Sequence, residues 1–239
     1  MSTITPTLSQ STVTTPAHRA DVTVKYQITI PGWINTLAEY RRWAESDRYP
    51  RSGWVSYLNG VIFVDQSMEE FLTHNRVKQA FNTLFGMLLM HEPPGCFVPD
   101  RMLLANEAAN LSTEPDGLFY LWATMQSGRL RLIPGEKSGN VQLEGTPDCV
   151  LEVVGDGSVK KDLEVLRDLY WKAQIPEYWL VDARKDDIRF EILRHGKDGY
   201  EPTNLNDGWL HSDILGRSFR MERTLDPLGL PQFTVHARP

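Results

Sequence analysis

Two carboxylates stand where a carboxylate is expensive. Glu152 lies inside the apolar run "DCVLEVV" (148–154), and Asp116 opens a second one, "PDGLFYLW" (115–122). Side chains two apart in a strand face the same way, so Asp148, Val150, Glu152 and Val154 share one face, and Cys149, Leu151 and Val153 the other. Asp148 and Glu152 would lie about 13 Å apart along the strand, too far for both to bind one metal ion. Glu152 therefore needs a partner from elsewhere. If the strand after Asp116 pairs with the strand of Glu152, the two backbones run ~4.8 Å apart. Carboxylates that close repel unless a cation lies between them or one keeps its proton. A divalent cation resolves the conflict, and oxygen ligands favour Mg²⁺ or Mn²⁺. A backbone carbonyl near Val153 is a candidate third ligand. Read singly, Asp116 is a turn residue after Pro115 and Glu152 a loop cap or an arginine partner. As a pair on apolar strands, they read better as a metal site.

Other residues have chemistry to offer. His74, in "FLTHNRV", is either a phosphate or water ligand or an ordinary helix histidine. Glu69 and Glu70 suit a helix start, where carboxylates meet the positive end of the macrodipole, and one of them is a candidate further ligand. Lys160, Lys161, Arg167 and Lys172 form a cationic cluster diluted by Asp156, Asp162, Glu164 and Asp168, the pattern of a solvated helix face. Arg129, Arg131 and Lys137 fall in a polar stretch and are candidate phosphate contacts. Tyr170, Tyr178 and Trp179 read as core aromatics. The sequence carries no Gly-rich phosphate loop, zinc spacing or nucleophile elbow.

These residues need elements to position them. "INTLAEYRRWAES" (34–46) has helical spacing, and so does "EEFLTHNRVKQAFNTLFGMLLMHE" (69–92), which stops before Pro93-Pro94. "WVSYLNGVIFVDQ" (54–66) is two strands about Asn59-Gly60, the strongest short hairpin signal. Strands are expected in 24–30, 97–105, 115–122, 178–182 and 187–195, with a short strand or turn and then one more strand within 207–225; residues 124–145 form a long loop or a ragged hairpin. Leu163, Leu166, Tyr170 and Ala173 make the apolar stripe of a helix between the strand of Glu152 and "YWLVD". The expected fold is α/β (α+β), a mixed central sheet flanked by helices. Residues 1–24, Ser/Thr-rich with prolines, read as a disordered tail ahead of a single domain over 25–239.

Bulk properties narrow the function. A net charge of −6 gives no general footprint for nucleic acid, so DNA binding would need a local basic patch. Two cysteines, Cys96 and Cys149, make no disulfide framework and fit a reducing cytoplasm. No apolar run is long enough for a membrane span, and the N-terminus lacks the pattern of a secretory signal.

The sequence resembles the Uma two family of restriction-endonuclease-like proteins, within the PD-(D/E)XK nuclease superfamily. The resemblance rests on "EPDG" (114–117), "PDCVLEVV" (147–154), "KKD" (160–162) and "LYWKAQIPEYWLVD" (169–182), with weaker support from "LNGVI", "THN" and "SDILG". It spans roughly residues 30–225. It implies a restriction-endonuclease-like fold and a Mg²⁺- or Mn²⁺-dependent endonuclease hydrolysing DNA, with Asp116 and Glu152 as metal ligands. Asp148 would then be structural or one layer removed from the metal. A homodimer is expected by analogy, since cutting both strands takes two sites. The superfamily's lysine, two residues after the acid, is Val154 here, and the position on the helix where this family is expected to carry it is Leu166. A serine usual soon after "EV" is replaced by Gly155, with Ser158 the next serine. Lys160, Lys161 and Arg167 are candidate substitutes. Lys161 is the best of them if the loop folds back to Glu152, and the third catalytic residue expected beside Asp116 and Glu152. The alternative is a nuclease-fold module that has lost turnover and serves in nucleic-acid binding or assembly.

Overall fold

The computed structural model describes residues 13–14, 22–24, 28–50, 53–91, 93–135, 139–203 and 205–239. Among these, six strands form the sheet that carries the two acids, in the order Tyr200–Pro202, Arg189–His195, Glu177–Asp182, Cys149–Val153, Gly117–Leu121, Gly95–Pro99. Cys149–Val153 and Glu177–Asp182 run parallel, and their neighbours antiparallel. Parallel strands need a crossover. Here it is a π-helical turn at Lys161–Val165 continuing into an α-helix at Leu166–Lys172.

Cys149–Val153 is buried along its whole length because both faces of the sheet are covered. On one side Val150 and Val154 meet Leu166, Leu169, Tyr170 and Ala173 in an apolar core. On the other, Cys149, Leu151 and Val153 meet Val77, Phe81, Leu84 and Phe85 of the helix Arg76–Leu88. The expected central sheet is present, and other strands form further sheets. A seven-stranded sheet includes the hairpin Trp54–Leu58/Val61–Asp65, and a four-stranded sheet closes the C-terminal end. Asn59 and Gly60 both have positive φ, +49° and +87°, as the tight hairpin turn requires.

The expected helix over 69–92 is shorter. It begins with a π-helical turn at Phe71–Asn75 and ends at Leu88. Glu70 caps it, its carboxylate accepting the N–H groups of Leu72 and Thr73 at 2.8 and 2.5 Å. The expected strand over 97–105 is two strands of different sheets, broken at Arg101, where φ is +76°. Residues 124–145 hold the end of a short helix, Trp122–Gln126, and the hairpin Leu130–Pro134/Asn140–Gly145. Most of the expected tail lies outside the described residues. Within it, Val13–Thr14 pairs with Val61 and Ile62, and Val22–Val24 with Ile28–Ile30. Backbone pairing of such β-branched residues needs no long apolar pattern. Both cysteines are free. No helix among the described residues is long and apolar enough to cross a membrane.

Candidate active site

The antiparallel register pairs Cys149 with Phe119, Val150 with Leu118 and Leu151 with Gly117. One step further sets Glu152 opposite Asp116. Asp116 leaves the ladder at that point, and its carboxylate accepts the Val153 N–H at 2.8 Å. The expected pairing of the strand after Asp116 with the strand of Glu152 is present.

Asp116 faces two cations from the neighbouring helix. His74 Nε2 lies 3.6 Å from it and Lys78 Nζ 3.5 Å. Positions 74 and 78 are one helical turn apart, on a stripe that continues through Phe81 and Phe85 into the core. Lys78 donates to Glu69 at 2.5 Å and to Asp100 at 2.8 Å, and only 8% of its side chain is exposed. His74 Nδ1 is buried without a hydrogen-bond partner, 3.8 Å from Glu69. Burial opposes the charge on His74, but the Asp116 and Glu69 carboxylates outweigh it and push the imidazole up to about 10. Asp116 is held below the usual carboxylate range by His74 and Lys78, against its burial.

Glu152, 2% exposed, occupies a drier place. Burial pushes its carboxyl well up; Lys161 pulls the other way, while Asp162 and Asp116 add to the rise. Tyr170 donates its hydroxyl to Glu152 Oε1 at 2.6 Å. The π-helical turn brings Lys161 inward. Its ammonium lies 3.2 Å from Asp162 and 5.9 Å from the centre of the Phe63 ring. Although burial disfavours the charge, Asp162, Glu152 and Asp116 hold Lys161 protonated above its ordinary range. Burial pushes Asp162 up to about 6, against Lys161 and the hydroxyl of Ser158, which donates to it. Glu69, His74, Asp116, Glu152, Lys161 and Asp162 line one cavity of about 130 Å³.

Several candidates are placed elsewhere. Leu166 and Val154 are buried in the apolar core, so neither expected lysine position offers a cation. Arg167 donates to the Tyr200 carbonyl at 2.9 Å, and Lys160 is exposed. Arg129 and Arg131 are taken by Asp148 and Glu144, which leaves them poor phosphate contacts. Lys137 lies outside the described residues. Asp148 is structural, accepting also from the Leu121 N–H and the Thr124 hydroxyl. Lys172 pairs with Asp168 on a solvated helix face. Lys78, Asp162 and the role of Tyr170 escaped the sequence reading. The signal for the first two was a charge placed on the apolar stripe of a helix.

The donor set fits a divalent cation. Among the described residues, Glu69, His74 and Asp116 offer ligand atoms all within 4.8 Å of one another, and the orphaned His74 nitrogen lacks any other partner. Carboxylates with one imidazole suit Mn²⁺ and, through the oxygens, Mg²⁺.

In metal-free protein, His74 should remain an imidazolium at neutral pH. Its folded pKa is raised above the unfolded value of 6.5, so its contribution to stability is complete below about pH 6.5 and lost as pH rises through about 10. NMR titration of its ring protons in EDTA checks this; a midpoint near 6.5 would show that the carboxylates do not hold it.

The chain matches the Uma2 family, described as "Putative restriction endonuclease", over residues 37–225. Its fold is similar to that of a crystal structure of "a putative nuclease belonging to DUF820" from Anabaena variabilis ATCC 29413. The TM-score is 0.55 at 15% identity, covering 76% of this chain and 90% of that one. At that identity the likeness concerns the fold. No curated protein matches.

Proposed function

The chain belongs to the Uma2 family, and from that premise we propose that it is a divalent-metal-dependent endonuclease that hydrolyses DNA phosphodiester bonds at Asp116 and Glu152. The observation that supports this reading is that Asp116, Glu152 and Lys161 line one cavity, at the end of two paired strands. Asp116, with Glu69 and His74 on one side and Glu152 on the other, would hold the cation. When bound, it would lower the pKa of a water and offset charge on the scissile phosphate.

The chain's own groups do the rest. Lys161 is a fixed ammonium, held by Asp162, and can donate to a phosphate oxygen or orient the attacking water. Tyr170 holds the Glu152 carboxyl by its Oε1, and Glu152 lines the cavity. Lys78 and protonated His74 neutralise the acids in the metal-free state, so loading requires His74 to give up its proton.

Supercoiled plasmid incubated with Mg²⁺ or Mn²⁺ tests the reading. Wild type should nick or linearise it, EDTA should stop the reaction, and Asp116→Ala should be inert. A second reading rests on the apolar residues at both expected lysine positions, Val154 and Leu166. It makes the chain a nuclease-fold module without turnover. Wild type that binds duplex DNA but leaves it uncut in every divalent metal would favour that reading.

A further inference from the structure

The cavity that would cut DNA is poorly suited to holding it. Asp65, Glu70, Glu114 and Asp156 line it beside the site acids, and the chain as a whole carries −6. A polyanion needs its grip elsewhere.

The C-terminal four-stranded sheet offers one. In the strands Trp209–Ser212, Arg217–Leu225 and Pro231–Arg238, residues such as Leu210, Phe219, Phe233 and Val235 enter the core beneath the six-stranded sheet. The alternate residues face away from that core. Register puts His211, Ser218 and Arg238 in one cross-strand row of that outer face. The next row holds Arg220 and His236, with Trp209 one step further along the same ladder. Arg220 and Arg238 both stack on Trp209, their guanidinium carbons 5.1 and 4.4 Å from the ring centre. Arginines elsewhere, such as Arg76, Arg129 and Arg184, sit on carboxylates. Arg217, Arg220 and Arg238 are exposed, and none of them pairs with a carboxylate among the described residues. Nearby acids are engaged: Glu222 with His236 at 3.0 Å, and Asp213 with Arg194 at 3.2 Å and His211 at 3.7 Å.

We propose that this outer face is the DNA-docking surface, with Arg220 and Arg238, spread on the Trp209 indole, contacting duplex phosphates. This rests on the nuclease reading above and deepens it. Stacking limits the freedom of the two guanidiniums before DNA arrives, so less entropy is lost in binding. The surface is also tied to the site. Arg76, on the helix that carries His74, donates to the Pro231 carbonyl at 2.5 Å.

Fluorescence anisotropy of a labelled duplex in EDTA, across a NaCl series, tests the proposal without cleavage. Arg220→Gln/Arg238→Gln should weaken binding roughly tenfold or more at low salt and lower the log–log salt slope by about 2. Its melting temperature and Mn²⁺ binding should stay at wild-type values. Trp209→Leu, which keeps both charges, should weaken binding less and leave the slope unchanged. A double variant with wild-type affinity and slope overturns the docking surface, and metal-dependent plasmid cleavage by that variant shows that the nuclease reading survives. Wild type that neither binds nor cuts duplex overturns both. Wild type that binds phosphatidylserine vesicles but no duplex overturns the assignment to DNA.

Discussion

Lys161→Met should lower metal-dependent cleavage by about 10²–10³-fold while leaving duplex affinity close to wild type. The side chain is 13% exposed and turned into the cavity rather than towards solvent. It is the ammonium that offsets the rise of the Glu152 carboxyl, and it does so across a dry site where charge is weakly screened. Methionine keeps most of the stem packing and removes only the charge and its donors. Losing it also leaves Asp162 and its neighbours without compensation, a cost of about 3 kcal/mol at neutral pH. Lys161 is one of the groups that hold Asp162 down, so in the variant Asp162 should keep its proton to higher pH, and that cost should shrink as pH falls and be gone below about 6. Cleavage assays beside urea denaturation separate the two effects. Lys161→Arg should recover part of the activity. Full activity in Lys161→Met would remove this residue from the mechanism.

Leu166→Lys should destabilise the protein by about 3–5 kcal/mol and should not raise cleavage. The resemblance to the nuclease family invites the opposite expectation, since it places a lysine there. Leu166 has no exposed surface and packs among Val154, Leu169, Tyr170 and Leu180. A new ammonium would enter that core with few partners, while Lys161 already supplies a cation to the cavity. Urea denaturation and the plasmid assay check both halves. A gain in cleavage over wild type would instead mark a decayed site repaired by the substitution.

The pairing of the two acid-bearing strands was legible because each acid interrupts an otherwise apolar strand, and the cost of burying it demands an explanation. Asn59-Gly60 was legible for a different reason: only a few residue types tolerate positive φ at both turn positions. The distribution of strands over separate sheets was not, since alternation tells which side of a strand is buried but not which sheet it joins. The break after Pro99, where the chain leaves one sheet for another through Arg101, is a case of this. Lys78 was missed because its charge fits an amphipathic helix read one residue at a time. Only its place one turn after His74, on the stripe leading to Phe81, marks it as inward-facing. Tyr170 was assigned to the core correctly, yet its hydroxyl does more than pack, since it is the hydrogen-bond partner of Glu152. Lys161 turns inward because the crossover helix begins with a π-helical turn, a local irregularity that periodicity does not reveal.

If Asp116 and Glu152 hold the metal together, loss of either carboxylate should abolish its binding. Calorimetric titration of Mn²⁺ into wild type and Glu152→Gln tests it most directly. In metal-free protein the Glu152 carboxyl is pushed towards its protonated form, which glutamine imitates, so the variant should fold with stability equal to or above wild type. Wild type should bind Mn²⁺, and Glu152→Gln, intact and folded, should not. Unchanged Mn²⁺ binding by Glu152→Gln would contradict that expectation and leave the cation to Glu69, His74 and Asp116 alone.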